Sequence, residues 1–255
     1  MQTVVIQRSE ADSPVATLPL PVRRYFERSL PSGSDVPRQL RIGQEGQMWL
    51  KPGSRAMRFT ATEVFAVDRI AFSWQARFPL FGPLAMKVVD GYANGDGELA
   101  VRLLGLPIQR QRGPETSIGE ALRYLAELPW VPHAIGHNSE LEWRQLDERS
   151  VEVATRLGPE RLRVLTEFDT RGDIVRTAAT RPRLDGKTWV PTPWAGEFGD
   201  YKVLSGIRLP TSAEVYWELP AGRYVYWRGR VTSAEPLDTP FTEAGRSGPR
   251  DPARC

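Results

Sequence analysis

In residues 70–78, IAFSWQARF, the apolar Ile70, Phe72, Trp74, Ala76 and Phe78 alternate with Ala71, Ser73, Gln75 and Arg77. Successive strand side chains point to opposite faces, so this period of two predicts a strand with one buried face. Similar stretches lie near 40–50, 56–67, 139–146, 150–157, 160–169, 173–180, 201–208, 213–219 and 224–233. KPGS, DTRG and LDGK supply turns between them. NGDG at 94–97 predicts a hairpin joining KVVDGYA to ELAVRLL, because Asn and Gly tolerate positive φ. Ten or more short strands with few helices predict a mainly β, α+β fold built on one large antiparallel sheet, curved or closed.

Two segments break the alternation. PVRRYFERSL predicts a helix from Pro21 to Leu30, with Val22, Tyr25, Phe26 and Leu30 on one stripe and Pro31 as its stop. TSIGEALRYLAELPWVPHAIGH at 116–137 predicts a second, ended by Pro129. Ser117 and Glu120 have the spacing of a capping box. Ile118, Leu122, Leu125 and Leu128 form its apolar stripe, and Glu120, Arg123, Tyr124 and Glu127 share the other face. A lone helix between β segments has to cover something, and the concave side of a curved sheet is the natural place.

Residues 18–235 contain no repeat or linker and are expected to form one domain, flanked by disordered tails at 1–17 and 236–255. With 40% hydrophobic residues, the body can bury a core without staples. The single Cys is the last residue, so no intrachain disulfide can form. The 34 basic and 31 acidic residues leave a net charge of +3 with no dense basic run, which argues against a nucleic-acid partner. No apolar run approaches the ~20 residues of a membrane-spanning helix, and the start of the chain does not resemble a signal peptide. A bacterial cytoplasmic protein is the expectation.

The polar face of the second helix is the first candidate site: Glu127 as acid or base, Tyr124 beside it, and Arg123 as a holder of anions. The competing reading is a solvated face with one i,i+4 ion pair. His133 and His137 also stand at i, i+4, but Pro132 and Gly136 argue against a regular helix there, and no third ligand is in view, so no metal is expected. His133 remains a candidate polar pocket residue. WVPTPWAGEFGDY at 189–201 reads as a long loop. Trp194 would be an aromatic anchor of a ligand rim, with Glu197, Asp200 and Tyr201 as its polar groups. Trp74, Trp130 and Arg181 complete the candidate ligand-binding set. Arg181 and Arg183 could clamp a carboxylate. The chain has no GxSxG, P-loop, GxGxxG, HExxH or CxxC motif, so an enzyme on this scaffold is expected to need no cofactor.

LPLPVRRYFERSLP, GPETSIGEALRYLAELPWVPHAI and PTPWAGEFGDYKVLSGIRLPTSAEVYWELPAGRYVYWRGRV are similar to an uncharacterised bacterial family, a domain of unknown function. The resemblance runs from about residue 18 to 235. Arg123, Tyr124, Glu127, Pro129, Trp130, Trp194, Gly196, Asp200 and Tyr201 match its motif positions, whereas His133 and His137 depart from its pattern. The resemblance implies no activity. It implies a half-barrel sheet wrapped on helices, as in lipoprotein carriers of the LolA type. Two functions fit. One is a binding module holding a lipid, polyketide or terpenoid-like molecule in the cavity of the curved sheet. The other is a cofactor-independent isomerase, cyclase or dehydratase using Glu127 with Tyr124, Tyr201 or His133.

Overall fold

A computed structural model describes residues 14–242. Thirteen strands follow one another: β1 Gln39–Met48, β2 Met57–Ala66, β3 Phe72–Pro79, β4 Ala85–Ala93, β5 Asp96–Leu103, β6 Leu106–Arg112, β7 Glu142–Gln145, β8 Ser150–Leu157, β9 Glu160–Phe168, β10 Ile174–Asp185, β11 Thr188–Leu204, β12 Ile207–Leu219 and β13 Gly222–Leu237. They form one antiparallel sheet in the order β6-β5-β4-β3-β2-β1-β13-β12-β11-β10-β9-β8-β7. The first and last strands are therefore partners at its centre, and β6 and β7 are its edges. The segment between those edges holds α2, Pro114–Ala126, a 3-10 turn at Leu128–Trp130, and α3, Pro132–His137. A further helix, α1 (Leu20–Ser29), packs on α3, β8 and β12. No helix among the described residues is long and apolar enough to cross a membrane.

The topology dictates the curvature. α2 touches β5 on one limb and β9 and β10 on the other. In a flat sheet of this order β5 and β10 would lie eight strand spacings apart, about 38 Å. A helix is only about 10–12 Å across. The sheet must therefore curl around α2, and the expected half-barrel is what forms. Hairpin turns alternate between its ends, and Met48 of β1 pairs with Trp227 near the start of β13. The turns β1–β2, β3–β4, β5–β6, β10–β11 and β12–β13 thus share one end, whereas Leu157 beside the β8–β9 turn lies against Gly95 of the β4–β5 turn.

The alternation in β3 holds as read: Phe72, Trp74, Ala76 and Phe78 are buried and Gln75, Arg77 and Pro79 exposed. NGDG forms the β4–β5 turn, with Asn94 at φ 54° and Gly95 at φ 85°. Four readings change. The capping box is absent: α2 begins at Pro114, whose ring is preset for the first turn, so Ser117 is an interior residue. Its hydroxyl instead accepts the Gly97 amide at 2.9 Å. Residues 132–137 are helical despite Pro132 and Gly136, because proline suits the first turn and the missing Cβ of Gly136 lets Phe26 approach. The supposed loop at 189–201 lies in β11, and the stretch read as a strand over 201–208 contains the β11–β12 turn at Ser205–Gly206.

Proline-rich β11 is possible because of where its partners stop. β9 pairs with β10 only as far as Ala178, and β12 pairs with β11 only from Trp194. Residues 181–192 therefore form a two-stranded arm whose outer edges have no partner strand. Pro182 and Pro191, opposite each other on that arm, deprive no ladder of a donor. Of the segments read as tails, Pro14–Thr17 is a 3-10 turn and β13 runs through Leu237. The tails expected at 1–13 and 243–255 lie outside the described residues.

Gly97 sets how closely α2 sits on the sheet. A Cβ there would lie 2.8 Å from the Thr116 carbonyl oxygen and 2.9 Å from the Ser117 Cα. Both are backbone atoms, so the helix itself would have to move. Gly97→Ala is expected to cost about 1–3 kcal/mol, as overpacking does. Urea denaturation with an unchanged midpoint would contradict this close approach.

Candidate functional site

The concave face does not fill completely. Between α2, the strands of both limbs and the β10–β11 arm lies a cavity of about 550 Å³. Six of the eight tryptophans line it: Trp74, Trp130, Trp189, Trp194, Trp217 and Trp227. Three of their polar ends are tied down. Trp74 Nε1 donates to Gln44, Trp130 Nε1 to the Pro210 carbonyl and Trp194 Nε1 to Tyr226. Met48, Phe78, Met86, Val88, Leu99 and Val215 add further apolar wall.

The polar wall is built by α2 and by two strand residues on the apolar phase of their strands. Glu63 shares its face of β2 with Phe59, Ala61 and Phe65, and is fully buried. Asp90 shares its face of β4 with Val88 and Tyr92. Arg123 spends its guanidinium on three carboxylates: Nη2 donates to Glu63 at 2.8 Å, Nη1 to Asp90 at 2.7 Å and Nε to Glu127 at 2.8 Å. It also sits over the Phe72 and Trp74 rings, 4.9 and 5.4 Å from their centroids. Arg181, from the arm, donates to Glu120 at 2.7 Å and lies 5.0 Å from the Trp194 centroid.

This cluster sets four carboxylates against two guanidiniums. Burial pushes the Glu63 carboxyl well above the ordinary range, and the Glu127 carboxylate adds to it. Burial and then Asp90 push Glu120 up to about 8. Shifts in this direction on Glu63 and Glu120 reduce the cluster's excess of negative charge. Not every lone pair and N–H is used. Asp90 Oδ1, Glu120 Oε2, Glu127 Oε2 and Thr116 Oγ1 are buried without a hydrogen-bond partner, and so are Arg181 Nε and Arg183 Nε. All six belong to residues lining the cavity. Unpaired buried polar atoms are costly, and here all six sit on residues that border one space.

Of the residues singled out from sequence, the fold brings Arg123, Glu127, Trp74, Trp130, Trp194 and Arg181 together around this cavity. Glu120 and Arg183 line it too, and the remaining candidates lie elsewhere. The Tyr124 hydroxyl donates to the Ala66 carbonyl and accepts from Asn138 within the core, and burial raises its pKa. The Tyr201 hydroxyl donates to the Ile174 carbonyl at 2.7 Å, and burial raises its pKa too. His133 is buried in α3, where desolvation and then His137 lower its pKa to about 4. Glu197 accepts from Tyr216 and Arg223, and Asp200 is an exposed residue at φ 52°. Glu63 and Asp90 are the site residues that sequence reasoning missed. Their signal was parity: each is a carboxylate on the apolar phase of an alternating strand.

A family described as a family of unknown function, DUF6544, matches residues 8–229. No curated protein matches the sequence. Two solved structures are similar in fold. One is a LolA superfamily protein from Nitrosomonas europaea, 8% identical, with 86% of this chain and 93% of that chain covered and a TM-score of 0.47. The other is a DUF1329 family protein from Desulfovibrio piger, 11% identical, with 91% and 96% covered and a TM-score of 0.48.

Proposed function

The chain belongs to the DUF6544 family, and we propose that it binds a hydrophobic small molecule, in class a lipid, polyketide or terpenoid, inside the half-barrel. One observation carries this reading: six tryptophans and the polar residues that carry unpartnered buried atoms line the same space of about 550 Å³. That volume lies within the range of small-molecule sites, which are mostly apolar with a few convergent polar groups. The apolar body would lie among the indoles. A polar head group would approach the acids of Asp90 and Glu120 on the α2 side of the cavity.

Native mass spectrometry of protein purified from its own host tests this, followed by extraction of whatever is bound. A hydrophobic molecule is expected to co-purify, and Val215→Trp, which fills the cavity from β12, is expected to reduce its retention at least tenfold. A wild-type protein that carries no hydrophobe and takes up no fluorescent fatty-acid analogue would sink the proposal.

A second reading has one observation in its favour. Glu120 borders the cavity and holds its proton near neutral pH. A carboxylic acid of this kind beside a bound hydrophobe could serve an isomerase, cyclase or dehydratase with Glu127 as its partner. Tyr124, Tyr201 and His133 do not line the cavity, so this chemistry would rest on carboxylates alone. Conversion of a hydrophobic host metabolite, lost in both Glu120→Gln and Glu127→Gln while binding persists, is the expected result. Binding without conversion leaves the protein a carrier.

A further inference from the structure

The end of the half-barrel where the β1–β2, β3–β4, β5–β6 and β10–β11 turns gather has an unusual surface. Nine large apolar side chains stand exposed on those four tips. Leu50 lies on the first and Leu80, Phe81 and Leu84 on the second. Leu104, Leu106 and Ile108 lie on the third, Leu184 and Val190 on the fourth. Phe81 is 84% exposed, Leu106 69% and Leu50 67%. Leu104 even occupies a left-handed turn position, φ 53°, where Asn or Gly would be easier. Leu50, Ile108 and Leu184 also line the cavity, so the first, third and fourth tips of this collar border it.

The same tips concentrate positive charge. Residues 49–56, 79–87, 102–108 and 183–190 contain six basic residues and one acid, a net +5 where the whole chain has +3. Three of the four lysines, Lys51, Lys87 and Lys187, are among them. These three and Arg55 form no ion pair among the described residues. An apolar patch of this extent marks an interaction surface. Exposed apolar tips ringed by unpaired cations match one partner chemistry above others, an anionic lipid surface, which attracts the cations and accepts the apolar side chains below its headgroups.

We propose that this collar docks the protein on an anionic lipid bilayer with the cavity mouth facing the membrane. The docking stands on the collar alone. That a ligand would pass between bilayer and cavity without crossing water rests in addition on the ligand-binding reading.

Flotation with phosphatidylcholine vesicles, with and without phosphatidylglycerol, tests it. The wild-type protein is expected to float with the anionic vesicles. Phe81→Ser with Leu106→Ser should lower the bound fraction at least tenfold. Lys51→Glu with Lys187→Glu should lower it about tenfold on anionic vesicles. All four positions are exposed, so the variants should keep the wild-type melting temperature, and the serine variant should still take up a fluorescent fatty-acid analogue. A wild-type protein that floats with neither vesicle overturns the proposal, as does a serine variant that floats like wild type. So does a wild-type dimer that the serine variant dissolves, which would make the collar a contact between copies. Uptake of the analogue reads the cavity separately, so failure of docking and failure of ligand binding are distinguishable.

Discussion

Replacing Arg123 with alanine is expected to destabilise the protein by about 3–5 kcal/mol near neutral pH, the size of effect seen when one partner of a buried ion pair is removed. The total stability of a domain is only about 5–15 kcal/mol. Three acids, those of Glu63, Asp90 and Glu127, would lose their shared cation at once, and Glu63 is wholly out of solvent. Arg123→Lys should recover only part of the loss. An ammonium is a single point charge and cannot reach three acids with three separately aimed donors. The loss should also depend on pH in a defined direction. Without the guanidinium the buried acids hold protons more tightly in the folded state. Folded values raised above the unfolded ones give stability that is present at low pH and lost as pH rises. The deficit of Arg123→Ala should therefore be small near pH 5 and large near pH 8. Urea denaturation at the two pH values reads it. A loss under 1 kcal/mol at both would show that Arg123 does not hold the three acids together.

The architecture was legible where side-chain parity was clean. β3 and the β4–β5 turn follow from alternation and from Asn-Gly chemistry, and the i,i+4 pair of Arg123 and Glu127 follows from helix geometry. What alternation could not supply was direction. The same Glu120/Arg123/Glu127 face fits a solvated helix and a buried one, and only the path of the chain from edge β6 to edge β7, across the concave side, decides between them. Tyr124 shares that face in projection, yet its hydroxyl points to the Ala66 carbonyl. WVPTPWAGEFGDY was unreadable as a strand because prolines normally exclude one. They are permitted here by an unpaired hairpin arm, a property of the neighbours and not of the segment. β6 offered no apolar phase at all: six of its seven residues are exposed and the seventh half-buried. Its pairing with β5 is what makes it a strand.

The second large effect is a loss of stability as pH rises from 6.5 to 8, carried by Glu120. Its carboxyl holds a proton in the folded protein up to about pH 8, through burial first and the Asp90 charge second. In the unfolded chain a glutamate releases its proton near pH 4.3. Between those values the folded state binds one proton more than the unfolded state. Stability therefore falls by up to about 1.4 kcal/mol per pH unit, complete below the unfolded value and gone once pH passes the folded one. Glu63 contributes in the same direction. His133 works against both, but only between its folded value of about 4 and the ordinary 6.5, so the interval above 6.5 is free of it. Glu98 and Glu152, whose values are lowered, titrate below 4.5 and do not enter. Over 6.5–8 the loss from Glu120 amounts to about 2 kcal/mol. Glu120→Gln keeps an oxygen for Arg181 but removes the titration. It should be more stable than wild type at pH 8 and show a shallower slope, with Glu63 supplying the remainder. Parallel slopes for the two proteins would show that Glu120 is ionised throughout. If the slope is there, the same proton tests the ligand's chemistry. A cationic head group seated against Glu120 would favour its ionised form. Binding near pH 7 would then release a proton, visible as a binding enthalpy that changes with the ionisation enthalpy of the buffer. A neutral hydroxyl head would leave that enthalpy unchanged.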